Sequence, residues 1–449
     1  MPTCNDPQPA FKLVLIPDRA ALAAGHSTTL RVLARIQAPD ASASSVPRRP
    51  LHLAMVLDRS GSMSGTPLQE AKRCARLMLD GLAPGDRAAV IAFDDEVARV
   101  APLTSASHKL TLASALTTIE SGGSTNLHGG WSAGADELAG RLAGDDVHRV
   151  ILLSDGCANV GETDLETIAG QCKALAKRGV STSTYGLGNN FNESLMLAMA
   201  SAGRGNAYYG QTAADLAEPF AAEFALLTSL CARGLILKVH APASVANTLR
   251  NDYTPVDGDA FAWHLPDLAF ASEAWALFEL TIDASVAVGA GPLSLPITVS
   301  LQASTLDSAA LFLMGSLPDL AVVDRAQWEA IPANSLVVQR LLELDAADAV
   351  ADVRTAIEAG DWKRAQQIVD AAAVRFEQHE WASAILATMR RLIDERDRHL
   401  AAKEASFSMR SMRQRLVSPV EPSFSANEPA AIPAFLRRKG EQGKGRREP

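Results

Sequence analysis

The chain has 449 residues, of which 47% are hydrophobic, and its formal net charge is −9. This length suffices for about three domains with substantial cores, and the acidic balance makes a nucleic-acid-binding protein a poor fit. The five cysteines are odd in number and form no CxxC pair, which favours reduced thiols. Without an evident secretory signal or a long uncharged apolar stretch, the sequence predicts a cytoplasmic protein with no membrane span.

The first segment, residues 11–50, contains two stretches in which apolar and polar side chains alternate. FKLVLIP and TTLRVLARIQA have this period, which is typical of half-buried antiparallel strands. The intervening AALAAGHS is predicted to be a turn. Two strands cannot form a stable domain alone, so we expect them to belong to a β-sandwich completed later in the chain.

Residues 51–230 alternate between strand and helix patterns, which predicts a mostly parallel sheet with helices on both faces. The first strand lies in LHLAMVLDRSGSMSG and ends at Asp58, Ser60 and Ser62. One carboxylate and two hydroxyls at a strand end are hard oxygen ligands suited to Mg²⁺ or Mn²⁺. The same residue types also cap helices, here one that would begin near Pro67, so this stretch alone leaves both interpretations open.

Two distant stretches favour the metal site. SGGSTNLHGG places Thr125 in a glycine-rich loop, and VILLSDGCANVG places Asp155 at the end of another apolar strand. With these residues, the sequence resembles the von Willebrand factor type A family, whose metal-ion-dependent adhesion site combines Asp-x-Ser-x-Ser with a distant Thr and a distant Asp. All five positions match, and GDRAAVIAFDDEV is similar to the family's second strand.

The resemblance implies that Ser60, Ser62 and one of Thr125 or an aspartate coordinate Mg²⁺ directly, with Mn²⁺ or Ca²⁺ as alternatives. Other carboxylates would act through water, and one position would stay open for an Asp or Glu of a protein partner. The implied function is protein binding rather than catalysis. Similar layouts occur in cytosolic bacterial proteins and in inter-alpha-trypsin-inhibitor-like chains of the family.

The residues after the α/β segment change character twice. Residues 231–305 contain strand patterns without helices and are expected to complete the β-sandwich, so that the α/β domain is inserted in it. Residues 332–403 have a helical period and predict a small bundle, with a last helix over Trp381–Leu400. AIEAGDWKRAQQIVDAA is typical of a helical hairpin in which Asp361 caps the second helix.

Residues 407–449 are rich in Pro, Ser, Glu and Arg and are predicted to be a disordered basic tail. From Arg410 to Pro449 there are nine Lys or Arg and four Asp or Glu residues. AIPAFLRRKG in this tail resembles the C-terminal docking peptide of the bacterial tubulin-like division protein, and an unspecific sticky tail is the alternative. The candidate partner-binding residues are Ile432, Phe435, Leu436, Arg437 and Arg438.

Two other functions compete with adhesion. A metal-dependent hydrolase would use a metal-bound water, with His128 as the nearest candidate base, although a surface position on the first turn of a helix explains this histidine more simply. A subunit of an ATPase-driven metal-insertion or remodelling complex is the third hypothesis. No Walker motif is present, so the ATPase would be a partner. Cys157, two residues after Asp155, is either a redox-sensitive thiol or a plain loop residue.

Overall fold

The computed structural model describes residues 11–40, 48–142, 146–188, 190–210, 212–287, 291–305, 309–414 and 416–417. The described chain divides into two compact units. One is the segment between residues 47 and 229, and the other combines the segments on either side of it. The predicted tail peptide, with Ile432, Phe435, Leu436, Arg437 and Arg438, lies outside the described residues.

The chain begins with the strands β1 (Lys12–Pro17), β2 (Ala21–Ala23) and β3 (Thr28–Gln37). The alternating pattern predicted the first and third of these, which pair in antiparallel register. The stretch predicted to be a turn contains β2, whose three residues are buried. The turn itself is confined to the residues after β2, where Gly25 adopts φ +67°.

The segment between residues 47 and 229 is built on one six-stranded sheet with the order β6-β5-β4-β7-β8-β9. All neighbouring strands are parallel except β5 and β6. The uninterrupted apolar run of β4 agrees with its central position, because both faces of a parallel sheet are covered by helices. The strands are β4 (Leu51–Asp58), β5 (Arg87–Phe93), β6 (Val97–Ser105), β7 (Val147–Ser154), β8 (Val180–Leu187) and β9 (Arg204–Gly210).

The helices of this unit follow the predicted order. Three of them begin with a capping residue of the expected type: the side chains of Asn126, Asp164 and Asn192 each accept a hydrogen bond from a first-turn backbone N–H. The helices are α1 (Thr66–Gly81), α2 (Lys109–Thr117), α3 (Leu127–Ala139), α4 (Leu165–Lys177), α5 (Glu193–Ala202) and α6 (Ala217–Thr228).

The strands after residue 229 join β1, β2 and β3 in three sheets. Two larger sheets have the orders β1-β3-β15-β11 and β12-β13-β10-β17-β18, and a small sheet has the order β16-β19-β2. Two short strands pair separately, β14 with β10 and β20 with β15. The strands are β10 (Leu230–His240), β11 (Val245–Leu249), β12 (Thr254–Val256), β13 (Asp259–His264), β14 (Leu268–Ala269), β15 (Glu273–Ile282), β16 (Gly291–Leu293), β17 (Thr298–Thr305), β18 (Ala310–Ser316), β19 (Leu320–Val323) and β20 (Leu416–Val417).

One hydrophobic core lies between the two larger sheets, with contributions from Val32, Leu237 and Phe278 among others. The predicted fold class, a mostly parallel α/β sheet accompanied by antiparallel sheets and C-terminal helices, is confirmed. The sequence prediction stopped at residue 305 and therefore missed β18 and β19. The parallel pairing of β19 with β2 joins residues about 300 positions apart, which no local pattern indicates.

Helices follow the last long strand. They are α7 (Arg325–Ala330), α8 (Ser335–Glu358), α9 (Trp362–Arg375), α10 (Glu380–Glu395) and α11 (Arg398–Arg413). Asp361 caps α9 by accepting a hydrogen bond from the backbone N of Arg364 at 2.9 Å, as predicted. Within the described residues, no helix combines the length and apolarity needed to cross a membrane.

Two predictions for this region are wrong. The single last helix is divided into α10 and α11 at Arg396, which adopts the left-handed conformation with φ +54°, and Asp397 caps the new helix. Helix α11 then continues to Arg413, so residues 407–413, assigned to the disordered tail, are helical. Phe407 and Met412 are buried, and this burial favours helix despite the polar composition of the segment.

Candidate metal centre

Asp58 ends β4, between the parallel neighbours β5 and β7. Its carboxylate is fully buried, and Oδ1 accepts a hydrogen bond from the backbone N of Ser60 at 2.8 Å. Oδ2 accepts a hydrogen bond from Ser154 Oγ at 2.5 Å. Ser154, the last residue of β7, therefore orients Asp58. Ser154 was not among the predicted site residues, although its position directly before Asp155 is a usable signal.

Ser60 and Ser62 lie on a short turn between β4 and α1. The two hydroxyl oxygens are 3.2 Å apart, and Ser62 Oγ donates a hydrogen bond to Asp155 Oδ1 at 2.7 Å. Helix α1 begins after Gly65, and no side chain caps it. The capping alternative for these residues is therefore wrong, and Ser62 instead contacts the carboxylate of Asp155, directly after β7.

Thr125 lies just before α3 and is buried. Its backbone N donates to Asn159 Oδ1 at 2.9 Å, and its backbone O accepts from the N of Asn159 at 3.1 Å. A Cβ on Gly156 would lie 3.1 Å from Thr125 Oγ1 and 3.9 Å from Asp58 Oδ2. Thr125 Oγ1 and Asp58 therefore border the same point, and Gly156 allows this close approach. Asn159 was also absent from the sequence prediction, because a backbone-binding role leaves no sequence pattern.

The loop that carries Thr125 is also tied to the turn after β5. Asp94 accepts a hydrogen bond from Arg59 Nη2 at 3.1 Å, and its backbone O accepts from the N of Asn126 at 2.7 Å. The backbone N of Gly122 donates to the O of Arg59 at 2.8 Å. These bonds connect the loop after β4 with the loop before α3, so the five predicted side chains are brought together by a hydrogen-bonded frame.

The two carboxylates of this cluster are destabilised in their charged form by burial. Burial raises the pKa of the Asp58 carboxyl to about 6, and hydrogen bonds from Ser154 and Ser60 offset only part of this effect. Burial also raises the pKa of Asp155, against the hydrogen bond from Ser62. Among the described residues, neither carboxylate forms an ion pair with a Lys or Arg side chain. A bound divalent cation would favour the charged form of both.

The donor set fits a hard cation. It consists of two carboxylates and three hydroxyls, with no thiol or imidazole, and such oxygen ligands suit Mg²⁺, Mn²⁺ or Ca²⁺ better than Zn²⁺ or Cu²⁺. Over the described ranges, no three His, Cys, Asp or Glu side chains form a group that could hold a metal ion. The candidate centre therefore depends on its hydroxyl ligands, which are Ser60, Ser62 and Thr125.

Residues 52–222 match the family model of the von Willebrand factor type A domain. This segment has the von Willebrand factor type A fold, and we refer to it as the von Willebrand factor type A domain. Such domains form a family of protein-interaction modules. The match covers the sheet and the helices that carry the metal-site candidates, and it ends before the strands of the other unit.

Curated relatives match part of this chain. The chain is 29% identical over 211 residues to "Uncharacterized protein YfbK" of Escherichia coli K12, and this alignment spans 46% of the chain but only 36% of YfbK. It is 29% identical over 147 residues to inter-alpha-trypsin inhibitor heavy chain H4 of Homo sapiens, spanning 31% of the chain and 16% of that protein. The chain thus spans about a third or less of these relatives.

Solved structures resemble nearly the whole chain. A von Willebrand factor type A protein from Catenulispora acidiphila superposes with a TM-score of 0.67 at 18% identity, covering 92% of this chain and 98% of that one. At this identity the likeness concerns the fold alone. It shows that the combination of a von Willebrand factor type A domain with antiparallel sheets and C-terminal helices occurs in another protein.

Two further candidates of the von Willebrand factor type A domain lie beside the centre. His128 Nε2 and Gln171 Oε1 are 2.7 Å apart, so this histidine is hydrogen-bonded to a residue of α4. The exposed Cys157 donates a hydrogen bond from Sγ to the backbone O of Asn190 at 2.9 Å. Both side chains have ordinary hydrogen-bond partners, which agrees with structural roles.

Proposed function

We propose that the von Willebrand factor type A domain binds a protein partner through a divalent ion, Mg²⁺ in the first place, held by Asp58, Ser60, Ser62, Thr125 and Asp155. The observation that carries this proposal is the 2.7 Å hydrogen bond between Ser62 Oγ and Asp155 Oδ1. Because these residues are 93 positions apart, their meeting is a property of the fold and not of a local turn.

Each group has a distinct part in this proposal. Asp58 and Asp155 supply negative charge, while Ser60, Ser62 and Thr125 supply neutral oxygen atoms. Bound there, Mg²⁺ would offer a Lewis-acidic position to the carboxylate of another protein. Two protein carboxylates only balance the charge of a divalent ion. The ligand set therefore has no surplus negative charge that would repel an Asp or Glu from a partner.

We propose binding rather than hydrolysis as the activity. A general base must come within hydrogen-bonding reach of the water that it activates, whereas the Nε2 atom of His128 is directed to Gln171. We further propose that the protein acts in the cytoplasm. An ATPase partner stays a prediction, which co-purification followed by mass spectrometry tests.

Metal uptake is tested by calorimetry and thermal unfolding of the full chain with Mg²⁺. At a free Mg²⁺ concentration of 100 times Kd, a single native-state site raises the free energy of unfolding by about 2.7 kcal/mol. We expect this stabilisation in the wild type and its loss in Asp155→Ala. Asp136→Asn, an exposed change on α3, is the matched control and should respond like the wild type. An equal Mg²⁺ response in Asp155→Ala would contradict the assigned ligand set.

Partner binding is tested by capturing proteins on the immobilised full chain. We expect at least one partner to be retained with Mg²⁺ and released by a chelator, and to be missing with Asp155→Ala. A set of captured proteins that is the same in all three experiments would argue against a metal-dependent adhesion function.

A further inference from the structure

The surface around the candidate metal centre is strongly acidic. Five stretches lie at the carboxyl ends of the strands or in the adjoining loops, namely 58–65, 94–96, 119–126, 155–165 and 188–192. Together they contain eight Asp or Glu residues and a single Lys or Arg residue. A divalent ion would lower the excess from seven negative charges to five. The partner's carboxylate therefore approaches a metal that is surrounded by like charge.

The single cationic residue of these stretches does not neutralise the remaining acidic residues. Arg59 is bound to Asp94 at 3.1 Å, so its charge is balanced within the protein. Asp58 and Asp155 belong to the metal centre, and Asp164 caps α4. The negative charges left over belong to a separate set of acidic side chains, which we call the acidic rim: Asp95, Glu96, Glu120 and Glu162.

The acidic rim is anchored close to the metal-site loops. Asp95 Oδ1 accepts a hydrogen bond from the backbone N of Ser124, the neighbour of Thr125, at 3.2 Å. Glu96 and Glu120 are exposed. Among the described residues, neither side chain has a hydrogen-bond or ion-pair partner. Their charges are therefore available to a ligand that reaches the metal.

Glu162 also lies near the loop that carries Thr125. It follows Gly161, where a Cβ would lie 2.6 Å from Asn126 Oδ1, so this part of the loop touches the residue after Thr125. Opposite charges across an interface steer and select partners, while like charges reject them. A ligand suited to this face needs a carboxylate for the metal and positive charge around that carboxylate for the rim.

The chain itself contains a segment with this pattern. Residues 437–449, RRKGEQGKGRREP, have six Lys or Arg residues and two glutamates, Glu441 and Glu448. We propose, on the basis of the proposed function, that the metal centre and its acidic rim select a carboxylate flanked by cations, and that residues 437–449 are such a ligand. One glutamate oxygen would complete the metal's coordination, and the neighbouring cations would pair with the acidic rim.

The tail segment is joined to the described structure by a long stretch of chain. The described residues end at Val417, and 23 residues lie between it and Glu441. The fully extended length of a chain with this number of residues is about 80 Å. Because the segment belongs to the same chain, its binding to the metal centre would be intramolecular, and even a weak contact would compete with an external partner.

The test uses the full chain with both tail glutamates changed, Glu441→Gln and Glu448→Gln, as the receptor. Calorimetry first measures its Mg²⁺ binding, which reports on the proposed function alone. Fluorescence anisotropy then measures the binding of a labelled, C-terminally amidated peptide of residues 437–449. We expect binding with Mg²⁺, and a loss of about tenfold or more for the peptide in which both glutamates are Gln. A chelator should have the same effect.

The acidic rim is tested with the same peptide and full-length receptor. Glu96→Gln and Glu120→Gln should each weaken peptide binding by about two- to fivefold without abolishing Mg²⁺ uptake. The control Asp136→Asn should leave the affinity for the peptide unchanged. The wild-type chain should bind the peptide more weakly than the Gln receptor because its own tail competes.

The outcomes separate the two proposals. Absence of Mg²⁺ uptake would overturn the proposed function. Mg²⁺ uptake without peptide binding would overturn the tail proposal alone. If a chelator does not weaken peptide binding and the Gln peptide binds as tightly as the wild-type peptide, the contact is unspecific charge attraction. This result would also overturn the tail proposal. Preference for a peptide whose glutamate is flanked by acidic residues would contradict the role of the acidic rim.

Discussion

At the scale of single residues, Asp86 shows how a buried carboxylate is stabilised without a metal. It receives two hydrogen bonds from Arg48, at 2.8 and 2.5 Å, and two from the backbone N atoms of Leu51 and Ala83, at 2.9 and 2.6 Å. Burial alone would raise its pKa, but these bonds outweigh burial and lower it. Asp58, by contrast, has no cationic partner among the described residues, and its pKa is raised.

The lowered pKa of Asp86 predicts a pH-dependent contribution to stability. The unfolded state, with a pKa of about 3.9, binds the proton more readily, so the contribution is complete above that value and is lost as the pH falls towards the folded pKa. At pH 7, Asp86→Ala should lower the free energy of unfolding by about 2–4 kcal/mol.

Urea denaturation of the wild type and of Asp86→Ala measures this difference across the pH range. The difference should shrink as the pH is lowered below about 5. An equal difference at pH 7 and at pH 3.5 would show that the stabilisation comes from packing and not from the ionised carboxylate.

The residues of the candidate centre were predictable to different degrees. Asp58, Ser60, Ser62, Thr125 and Asp155 carry donor oxygens at strand ends and loops, which is a chemical pattern visible in the sequence. Ser154 and Asn159 act by hydrogen-bonding to Asp58 and to the backbone of Thr125. Such roles depend on which loops meet in space, and a single sequence does not contain that information.

At the scale of elements, the loop before α3 is restricted by its glycines. Gly123 adopts φ +59°, and a Cβ there would lie 1.7 Å from Asp95 Oδ1 and 3.0 Å from Asp94 Cβ. An L side chain would be strained in this conformation and would push the loop away from the turn after β5. Because Thr125 follows two residues later, displacement of the loop also displaces a candidate ligand.

Gly123→Ala should therefore weaken Mg²⁺ binding by about tenfold, a typical cost of disturbing residues that support a metal site. Gly170→Ala is the matched control, since Gly170 lies within α4 with no atom within 4 Å of an added Cβ. It should leave Mg²⁺ affinity unchanged and stabilise the protein by about 0.5–1 kcal/mol. Calorimetric titration of both variants decides this, and equal affinities would show that the loop is not restricted by Gly123.

The prediction of elements succeeded where the pattern is local. The apolar run of β4 and the helical periods between residues 66 and 228 were identified, because burial on two faces or on one stripe sets the sequence pattern. The pairing of β2 with β19 and the division at Arg396 were missed. The first depends on a distant strand, and the second has no glycine or proline to mark it.

At the scale of the whole molecule, the candidate site belongs to one of two compact units. A ligand that binds only the native state protects the segments whose local opening would release it. Mg²⁺ should therefore slow amide hydrogen exchange in residues 58–65, 119–126 and 155–165, and leave residues 335–413 unchanged.

Exchange followed by mass spectrometry, with and without Mg²⁺, measures this effect. Asp155→Ala provides the comparison, since the added ion should produce no protection in that variant. Protection of equal size throughout the chain would indicate a general salt effect and would contradict a single site in the von Willebrand factor type A domain.

The pairing of β3 with β15 has a consequence for the order of events on the ribosome. Thr28 pairs with Ile282 and Gln37 with Glu273, so more than 230 residues emerge between the two edges of one ladder. At translation rates of about 5–20 residues per second, the earlier strand waits for tens of seconds without its neighbour. The inserted α/β segment is complete during that interval. Nascent chains must therefore shield an apolar strand near the N-terminus while the middle of the protein already folds.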